Sequence, residues 1–80
     1  MKQNWIVYIL ECSDNSLYTG ITTDLSRRID EHNSGKGAKY TRGRGPCRIV
    51  WSKTGLTESE AKIEEARIKK LSRDEKLKFF

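Results

Sequence analysis

The feature that most limits the fold is a pair of β-type segments joined by a short polar turn. The segment WIVYIL (residues 5–10) mixes β-branched, aromatic and aliphatic residues, and the polar cluster SDNS (residues 13–16) follows closely. The segment LYTGIT then returns to β-type composition, and Gly20 within it indicates a kink or a close approach of the backbone. Residues 3–12 and 17–22 are therefore predicted to form a β-hairpin.

A helix is predicted from about residue 24 to residue 33, capped by Asp24 or by the threonine before it. Leu25 and His32 recur there at helical spacing with an isoleucine between them, while arginines and acidic residues fill the other positions. The glycine-rich segment SGKGAKYTRGRGP (residues 34–46) is too irregular for a helix or a central strand. It predicts a long basic loop.

The last part of the chain predicts one strand and two helices. The segment CRIVWS (residues 47–52) has strand composition. Two capping boxes follow, each a hydroxyl side chain with a glutamate three residues later: Thr57 with Glu60, and Ser72 with Glu75. The first predicts a helix from residue 58 to about residue 71, and the second predicts a short helix that ends the chain.

The order of elements is β-β-α-β-α-α, which indicates an α/β fold with a small three-stranded sheet flanked by helices. A length of 80 residues without a long Pro/Gly/Ser linker predicts a single domain over residues 1–80. The longest apolar run, Trp5 to Leu10, is far shorter than the roughly 20 residues of a membrane-spanning helix, and no signal peptide precedes it. We therefore expect a cytoplasmic protein with no membrane partner.

The formal charge of +5 suggests an anionic partner, and its distribution is more informative than its size. Positive charge concentrates between residues 27 and 48, where Asp30 and Glu31 are the only acidic residues. The cations of this stretch are Arg27, Arg28, Lys36, Lys39, Arg42, Arg44 and Arg48. The middle of the chain is therefore its electropositive part.

The two cysteines, Cys12 and Cys47, lie far apart in sequence and lack the CxxC spacing of a zinc site. A site that added His32 to them would still lack a fourth ligand, and a disulfide would be unusual in a cytosolic protein. Two buried thiols are the favoured interpretation.

An ordered set of residues carries the chemistry: Tyr8 in IVYIL, Tyr18 and Gly20 in LYTG, an arginine in DLSRRIDEHN, and a glutamate in AKIEEARIKKL. Together these residues resemble the GIY-YIG nuclease family, although IVY stands in place of GIY and YTG in place of YIG. Within that family the chain looks most like the short stand-alone bacterial members, which share a KYTRGR-like loop and a KKLSR-like C-terminal helix. The resemblance covers essentially the whole chain.

The resemblance implies a metal-dependent endonuclease that hydrolyses nucleic-acid phosphodiester bonds, with DNA the expected substrate. It implies one divalent ion, Mg²⁺ or Mn²⁺, and a protein partner could supply specificity. Such hydrolysis requires an activated water, charge neutralisation at the phosphoryl oxygens and help to the leaving oxygen. Tyr8 and Tyr18 lie on neighbouring predicted strands and could orient or deprotonate a water. For either tyrosine alone, a half-buried structural role is the alternative.

Within the two helices, the resemblance selects Arg28 as the catalytic arginine and Glu65 as the metal ligand. Arg28 shares a helix face with His32, at i and i+4, whereas Arg27 points about 100° away. His32 is assigned to proton relay or phosphate contact, with a structural surface histidine as the alternative. Mg²⁺ accepts one or two carboxylates together with waters and substrate phosphate, so a single glutamate can suffice. Glu64 is the alternative to Glu65, because helical spacing lets either border a cleft.

The basic loop interleaves cations with an aromatic residue, a composition suited to tracking a phosphate backbone and stacking a base. The predicted nucleic-acid-binding residues are Arg27, Lys36, Lys39, Tyr40, Arg42 and Arg44. A solvated loop with no ligand is the alternative. For the whole chain, two further hypotheses are a catalytically inactive nucleic-acid-binding module and a basic protein-interaction adaptor.

Overall fold

The computed structural model describes residues 4–34 and 46–79. Its elements in chain order are β1 (Trp5–Glu11), β2 (Leu17–Thr22), α1 (Leu25–Asn33), β3 (Arg48–Leu56), α2 (Glu58–Lys69), α3 (Arg73–Lys76) and a 3₁₀ turn (Leu77–Phe79). The predicted order β-β-α-β-α-α and the α/β class with a small three-stranded sheet are confirmed. In the described part of the chain, no helix is long and apolar enough to cross a membrane.

The sheet has the order β2-β1-β3, and both pairings are antiparallel. β1 is therefore the central strand, and four consecutive residues, Val7 to Leu10, are at most 1% exposed. Alternate side chains of a strand point to opposite faces, so an uninterrupted apolar run is what a strand covered on both faces requires. This explains why WIVYIL shows no polar alternation.

The two faces of the sheet are covered by different helices. Ala61 and Ile68 of α2 pack with Val7 and Ile9 on one face. On the other face, Leu25 and Ile29 of α1 pack around a cluster of four buried residues: Tyr8, Leu10, Cys12 and Cys47. The chain thus builds two thin cores that share the central strand, and Tyr8 faces α1.

The predicted end of the third strand was wrong, because β3 continues to Leu56 and does not stop at residue 52. Gly55 has a positive φ of 76° and lies inside the strand. A shift of register between Trp5 and Val7 accommodates it, and Leu56 still pairs with Trp5. A bulge of this kind cannot be distinguished from a strand end by composition.

The caps of all three helices form as predicted. Asp24 accepts a hydrogen bond from the Arg27 backbone at the start of α1, and both capping boxes close with reciprocal hydrogen bonds. The last helix is shorter than a regular one: four α-helical residues pass into the 3₁₀ turn, where Phe79 stacks on Trp51 at 5.0 Å between ring centroids. The C-terminal segment therefore packs against β3.

Candidate active site

Gly20 leaves the space that the Tyr8 ring occupies. The two residues are directly paired between β1 and β2. A Cβ atom added at Gly20 would lie 2.5 Å from the Tyr8 hydroxyl oxygen and 2.7 Å from Tyr8 Cζ, and 3.0 Å from Cε2 of Tyr18. The Tyr8 ring therefore crosses the backbone of β2, and its hydroxyl points towards the β2 edge of the sheet.

Three rings meet at this point. The Tyr8 hydroxyl is hydrogen-bonded to His32 Nε2 at 3.1 Å, and the tautomer of His32 decides which of the two groups donates. The ring centroid of Tyr18 lies 6.4 Å from that of Tyr8 and 5.2 Å from that of His32. Tyr8 and His32 are each only 1% exposed, and Tyr18 is half-buried. The hairpin and α1 thus bring two phenols and an imidazole together.

Burial raises the pKa of Tyr8 to about 12, and the nearby Tyr18 and Glu65 act in the same direction. The Arg28 guanidinium, which faces the Tyr8 hydroxyl, opposes this shift because it stabilises the phenolate. At neutral pH the phenol is protonated. Its conversion to a base requires more positive charge than Arg28 alone supplies.

Arg28 joins the cluster from α1, one turn before His32. Its Nη1 donates to Glu31 Oε1 at 3.1 Å, and the side chain is partly exposed. Burial would lower the pKa of Arg28, but the hydrogen bonds to Glu31 and Tyr8 outweigh burial, so its pKa is raised. The guanidinium therefore stays charged, and its open side can meet an anion.

The His32 ring is held neutral by its surroundings. Burial lowers the pKa of His32, and the positive charge of Arg28 lowers it further, while Glu31 acts in the opposite direction. A buried neutral imidazole hydrogen-bonded to a phenol can exchange a proton with it. His32 is thus a buried member of the cluster and not a surface histidine.

The two adjacent glutamates of α2 have different neighbours. Both lie between Ala61 and Ile68, the buried residues through which α2 packs against the sheet. Their side chains are 18% (Glu64) and 24% (Glu65) exposed. Glu64 pairs with Arg67 at 2.8 Å and with Lys53 of β3 at 3.6 Å. These cations lower the pKa of Glu64.

Glu65 has a different partner from Glu64. Its Oε2 is 3.4 Å from Lys69 Nζ, one turn later on the helix and half exposed. Its negative charge contributes to the raised pKa of Tyr8.

Comparison with known proteins shows which family the chain belongs to. The model of the GIY-YIG catalytic domain matches residues 4–78. The chain belongs to the GIY-YIG family. UPF0213 protein OB0043 of Oceanobacillus iheyensis is 55% identical over 78 residues, which cover 98% of this chain and 91% of that protein. UPF0213 protein H16_B0156 of Cupriavidus necator is 53% identical over 75 residues, 94% of this chain and 82% of that protein.

Two solved structures share the GIY-YIG fold of this chain. The solution NMR structure of UPF0213 protein BH0048 from Bacillus halodurans superposes with a TM-score of 0.59 at 55% identity, covering 92% of this chain and 79% of that one. The solution NMR structure of protein EF2693 from E. faecalis superposes with a TM-score of 0.61 at 40% identity, covering 96% and 85%. The chain therefore lies within the GIY-YIG nuclease superfamily, close to the short UPF0213 proteins.

A divalent cation at this GIY-YIG site would have few protein ligands. No group of three or more His, Cys, Asp and Glu side chains that could hold a metal occurs among residues 4–34 and 46–79. Glu65 offers one partly exposed carboxylate that pairs with Lys69, a side chain that is itself half exposed. A single carboxylate with waters and a substrate phosphate is a way in which Mg²⁺ commonly binds, so the donor set fits one hard cation.

The predicted nucleic-acid-binding residues divide between the described part of the chain and the segment outside it. Lys36, Lys39, Tyr40, Arg42 and Arg44 lie outside the described residues. Arg27 is described, and it is exposed on α1 beside the half-buried Arg28. The difference in exposure follows from the 100° step between neighbouring helix positions.

Two further residues contact the site or its surroundings and were not singled out from the sequence. Glu31 binds Arg28 as an i,i+3 pair, a spacing that could have indicated it. The amide of Asn33 accepts from the Cys47 backbone N–H at 2.6 Å and donates to the Cys47 carbonyl at 3.2 Å. This contact spans the basic segment, and a long-range pair of this kind leaves no local signal in sequence.

Proposed function

We propose that this protein is a divalent-metal-dependent endonuclease that hydrolyses nucleic-acid phosphodiester bonds, with DNA as the expected substrate. The observation that carries the proposal is the meeting of Tyr8, Tyr18, His32 and Arg28 at one edge of the sheet. Glu65 is near enough for its charge to contribute to the raised pKa of Tyr8. A structural role would not need this combination. Membership of the GIY-YIG family adds support.

Arg28 is proposed to bind the scissile phosphate. Its guanidinium stays protonated, is partly exposed and already contacts one carboxylate oxygen through Nη1. A planar guanidinium can take a phosphate in two parallel hydrogen bonds, and these strengthen as charge builds up on the phosphoryl oxygens. Glu31 fixes one side of the group and so limits the directions from which a phosphate can approach.

Tyr8 and His32 are proposed to handle the proton of the attacking water. The phenol is protonated at neutral pH, so it can act as a base only when positive charge lowers its pKa. The added charge would come from the bound divalent ion, because the effect of Arg28 is already included in the raised pKa of Tyr8. Because His32 is neutral and 3.1 Å from the hydroxyl, it can accept the proton that Tyr8 releases or orient the phenol. Tyr18, whose ring centroid lies 5.2 Å from that of His32, is proposed to help orient the water.

Glu65 is proposed to hold the single metal ion, Mg²⁺ or Mn²⁺. When bound, the ion supplies positive charge that stabilises the phosphoryl oxygens and favours deprotonation of water or phenol beside it. Glu65 supplies the carboxylate, and it must first give up its ion pair with Lys69, which is weak because both groups are partly hydrated. Glu64 is a poor substitute because two cations already compensate its charge.

The rest of the substrate is proposed to run over the basic part of the chain. The residues assigned to the backbone contact are Arg27, Lys36, Lys39, Tyr40, Arg42 and Arg44. Each phosphate contact of this kind adds roughly 0.9 to the slope of log affinity against log salt on duplex DNA. No separate specificity domain is part of this proposal, so a protein partner could supply the choice of site.

Cleavage assays on a panel of labelled duplex, flap, junction and single-stranded DNAs test the proposal, each with Mg²⁺, Mn²⁺ or EDTA. Glu65→Gln keeps the shape of the side chain but removes the charge that holds the ion, so cleavage should vanish while DNA binding persists. Glu64→Gln is the matched control one residue away, and it should cut at close to the wild-type rate. Both variants should be purified identically, which controls for a contaminating nuclease.

The outcomes separate the hypotheses. Binding without cleavage on every DNA in either metal would favour a binding module that keeps the fold without turnover. Absence of any affinity for DNA or RNA at low salt would favour a protein-interaction adaptor. Loss of cleavage in Glu64→Gln but not in Glu65→Gln would show that the metal ligand is misassigned by one residue.

A further inference from the structure

Two thiols meet at the end of the sheet that carries the start of β3. Cys47 Sγ lies 3.0 Å from Cys12 Sγ, closer than two non-bonded sulfur atoms normally approach. Both side chains are buried, and they pack with Tyr8 and Leu10 on the α1 face. The proposed nuclease mechanism uses neither thiol.

The strand register accounts for the contact. Glu11 pairs with Arg48 at the end of the β1–β3 ladder, so Cys12 and Cys47 are the next opposed positions of the same antiparallel pair. Opposed residues in such a pair have Cα atoms about 4.5–5.5 Å apart, which falls within the range that a disulfide spans. A bond between the sulfurs then needs them to move together by only about 1 Å.

A metal ion is a less suitable occupant than a covalent bond. No third His, Cys, Asp or Glu side chain joins the pair in a cluster within the described ranges, whereas structural zinc takes four ligands. The pair is also stable in its reduced form: burial, followed by the hydrogen bond with Cys12, raises the pKa of Cys47 to about 12. A thiol that stays protonated at neutral pH reacts slowly, so we expect oxidation of the pair to be slow and to need a sustained excess of oxidant.

We propose that Cys12 and Cys47 form a reversible intramolecular disulfide under oxidising conditions. With a hydroperoxide as oxidant, one thiol attacks the peroxide oxygen to give a sulfenic acid and one molecule of water or alcohol. The second thiol displaces hydroxide from that sulfur, which gives the disulfide and a further water. Two hydrogens leave the protein, and a dithiol reductant restores them.

The crosslink would lie directly before the start of β3, at the residue that follows the basic segment. Asn33, at the end of α1, already holds the backbone of Cys47 through two hydrogen bonds. A disulfide to Cys12 would join this point to β1 covalently, so the last turn of α1, the start of β3 and the end of β1 would move as one unit. It would also restrict the unfolded chain, because it closes a long loop.

The experiment treats the purified, reduced chain with hydrogen peroxide and then alkylates it under denaturing conditions. The reduced protein takes two alkyl groups and the oxidised protein takes none, and peptide mapping should find the Cys12 and Cys47 peptides joined within a monomer. The melting temperature of the oxidised form should rise by roughly 10 °C or more and return when dithiothreitol is added.

The variants Cys12→Ala and Cys47→Ala provide controls, since each should show no peroxide-dependent, reductant-reversible rise in melting temperature. Peptide mapping of the unmodified chain tests the proposal even if either variant folds poorly. The proposal fails if peroxide leaves both thiols alkylatable, if it yields only sulfinic or sulfonic products, or if the disulfides formed are solely between molecules. None of these readouts depends on nuclease activity.

Discussion

Replacing Gly20 with alanine should damage both the stability of the fold and the tyrosine cluster. The added Cβ would lie 2.5 Å from the hydroxyl oxygen and 2.7 Å from Cζ of Tyr8, separations that packed atoms do not tolerate. The neighbour cannot simply turn away, because Tyr8 is 1% exposed and its hydroxyl is tied to His32. Either the ring or the β2 backbone must move.

The size of the effect follows from core overpacking, which costs about 1–3 kcal/mol. In a domain of this length, each kcal/mol lowers the melting temperature by about 4–8 °C. Gly55→Ala is an informative comparison: a Cβ there meets no atom within 4 Å, but its φ of 76° is strained for alanine. That strain costs about 1–2 kcal/mol, so both variants lose stability while only Gly20→Ala disturbs Tyr8.

A double-mutant cycle with Tyr8→Phe separates the clash with the Tyr8 side chain from backbone strain as the cause of lost stability. Removing the hydroxyl removes the closest contact but leaves the ring carbon, so the cost of Gly20→Ala should fall by at least about 0.5 kcal/mol in that background. The cost of Gly55→Ala should stay the same. Urea denaturation of the four proteins in each cycle measures these differences. An equal cost of Gly20→Ala in both backgrounds would refute the close approach of Tyr8 to the β2 backbone.

Three further predictions concern the cluster itself. Arg28→Ala should abolish cleavage while Arg27→Ala keeps most of it and weakens DNA binding, because only Arg28 faces Tyr8; comparable loss of cleavage in both would contradict the assignment. Tyr8→Phe should keep the fold and lower the cleavage rate about 10²-fold or more in single-turnover assays, whereas a near-normal rate would remove the phenol from the mechanism. The pKa of His32 is lowered from 6.5 by burial first and by Arg28 second, so wild-type stability should decline as pH falls below about 6.5, and the decline should be shallower in His32→Gln. Parallel pH-dependent unfolding curves for the two proteins would show that His32 is not the group responsible.

The parts of the fold that could be predicted from sequence are those specified by local chemistry. Both capping boxes form because a hydroxyl and a glutamate three residues later satisfy backbone donors within one turn. The course of β3 beyond residue 52 could not be predicted, because the positive φ of Gly55 is compatible with a turn as well as with a bulged strand. The outcome depends on pairing with Trp5, which is distant in sequence.

The candidate site shows the same division between local and long-range information. Helical spacing put Arg28 and His32 on one face, and the structure has both interacting with Tyr8. Helical spacing could not choose between Glu64 and Glu65, since both lie between the two residues that seat α2. Their neighbours differ in the structure: Glu64 pairs with Lys53 of β3, whereas Glu65 pairs with Lys69 of its own helix and its charge adds to the raised pKa of Tyr8.

Tyr8 serves the core and the candidate site at once, and this follows from its position on the central strand. Its ring fills the α1 face of the sheet together with Leu10, while its hydroxyl ends among His32, Arg28 and Tyr18. A chain this short has few buried positions, so the phenol is held rigidly by the same packing that stabilises the fold. Truncation of Tyr8 to alanine would therefore remove activity through unfolding, at a cost of about 3–5 kcal/mol, and would say nothing about chemistry. Only the removal of the hydroxyl alone separates the two roles, which makes Tyr8→Phe the informative substitution.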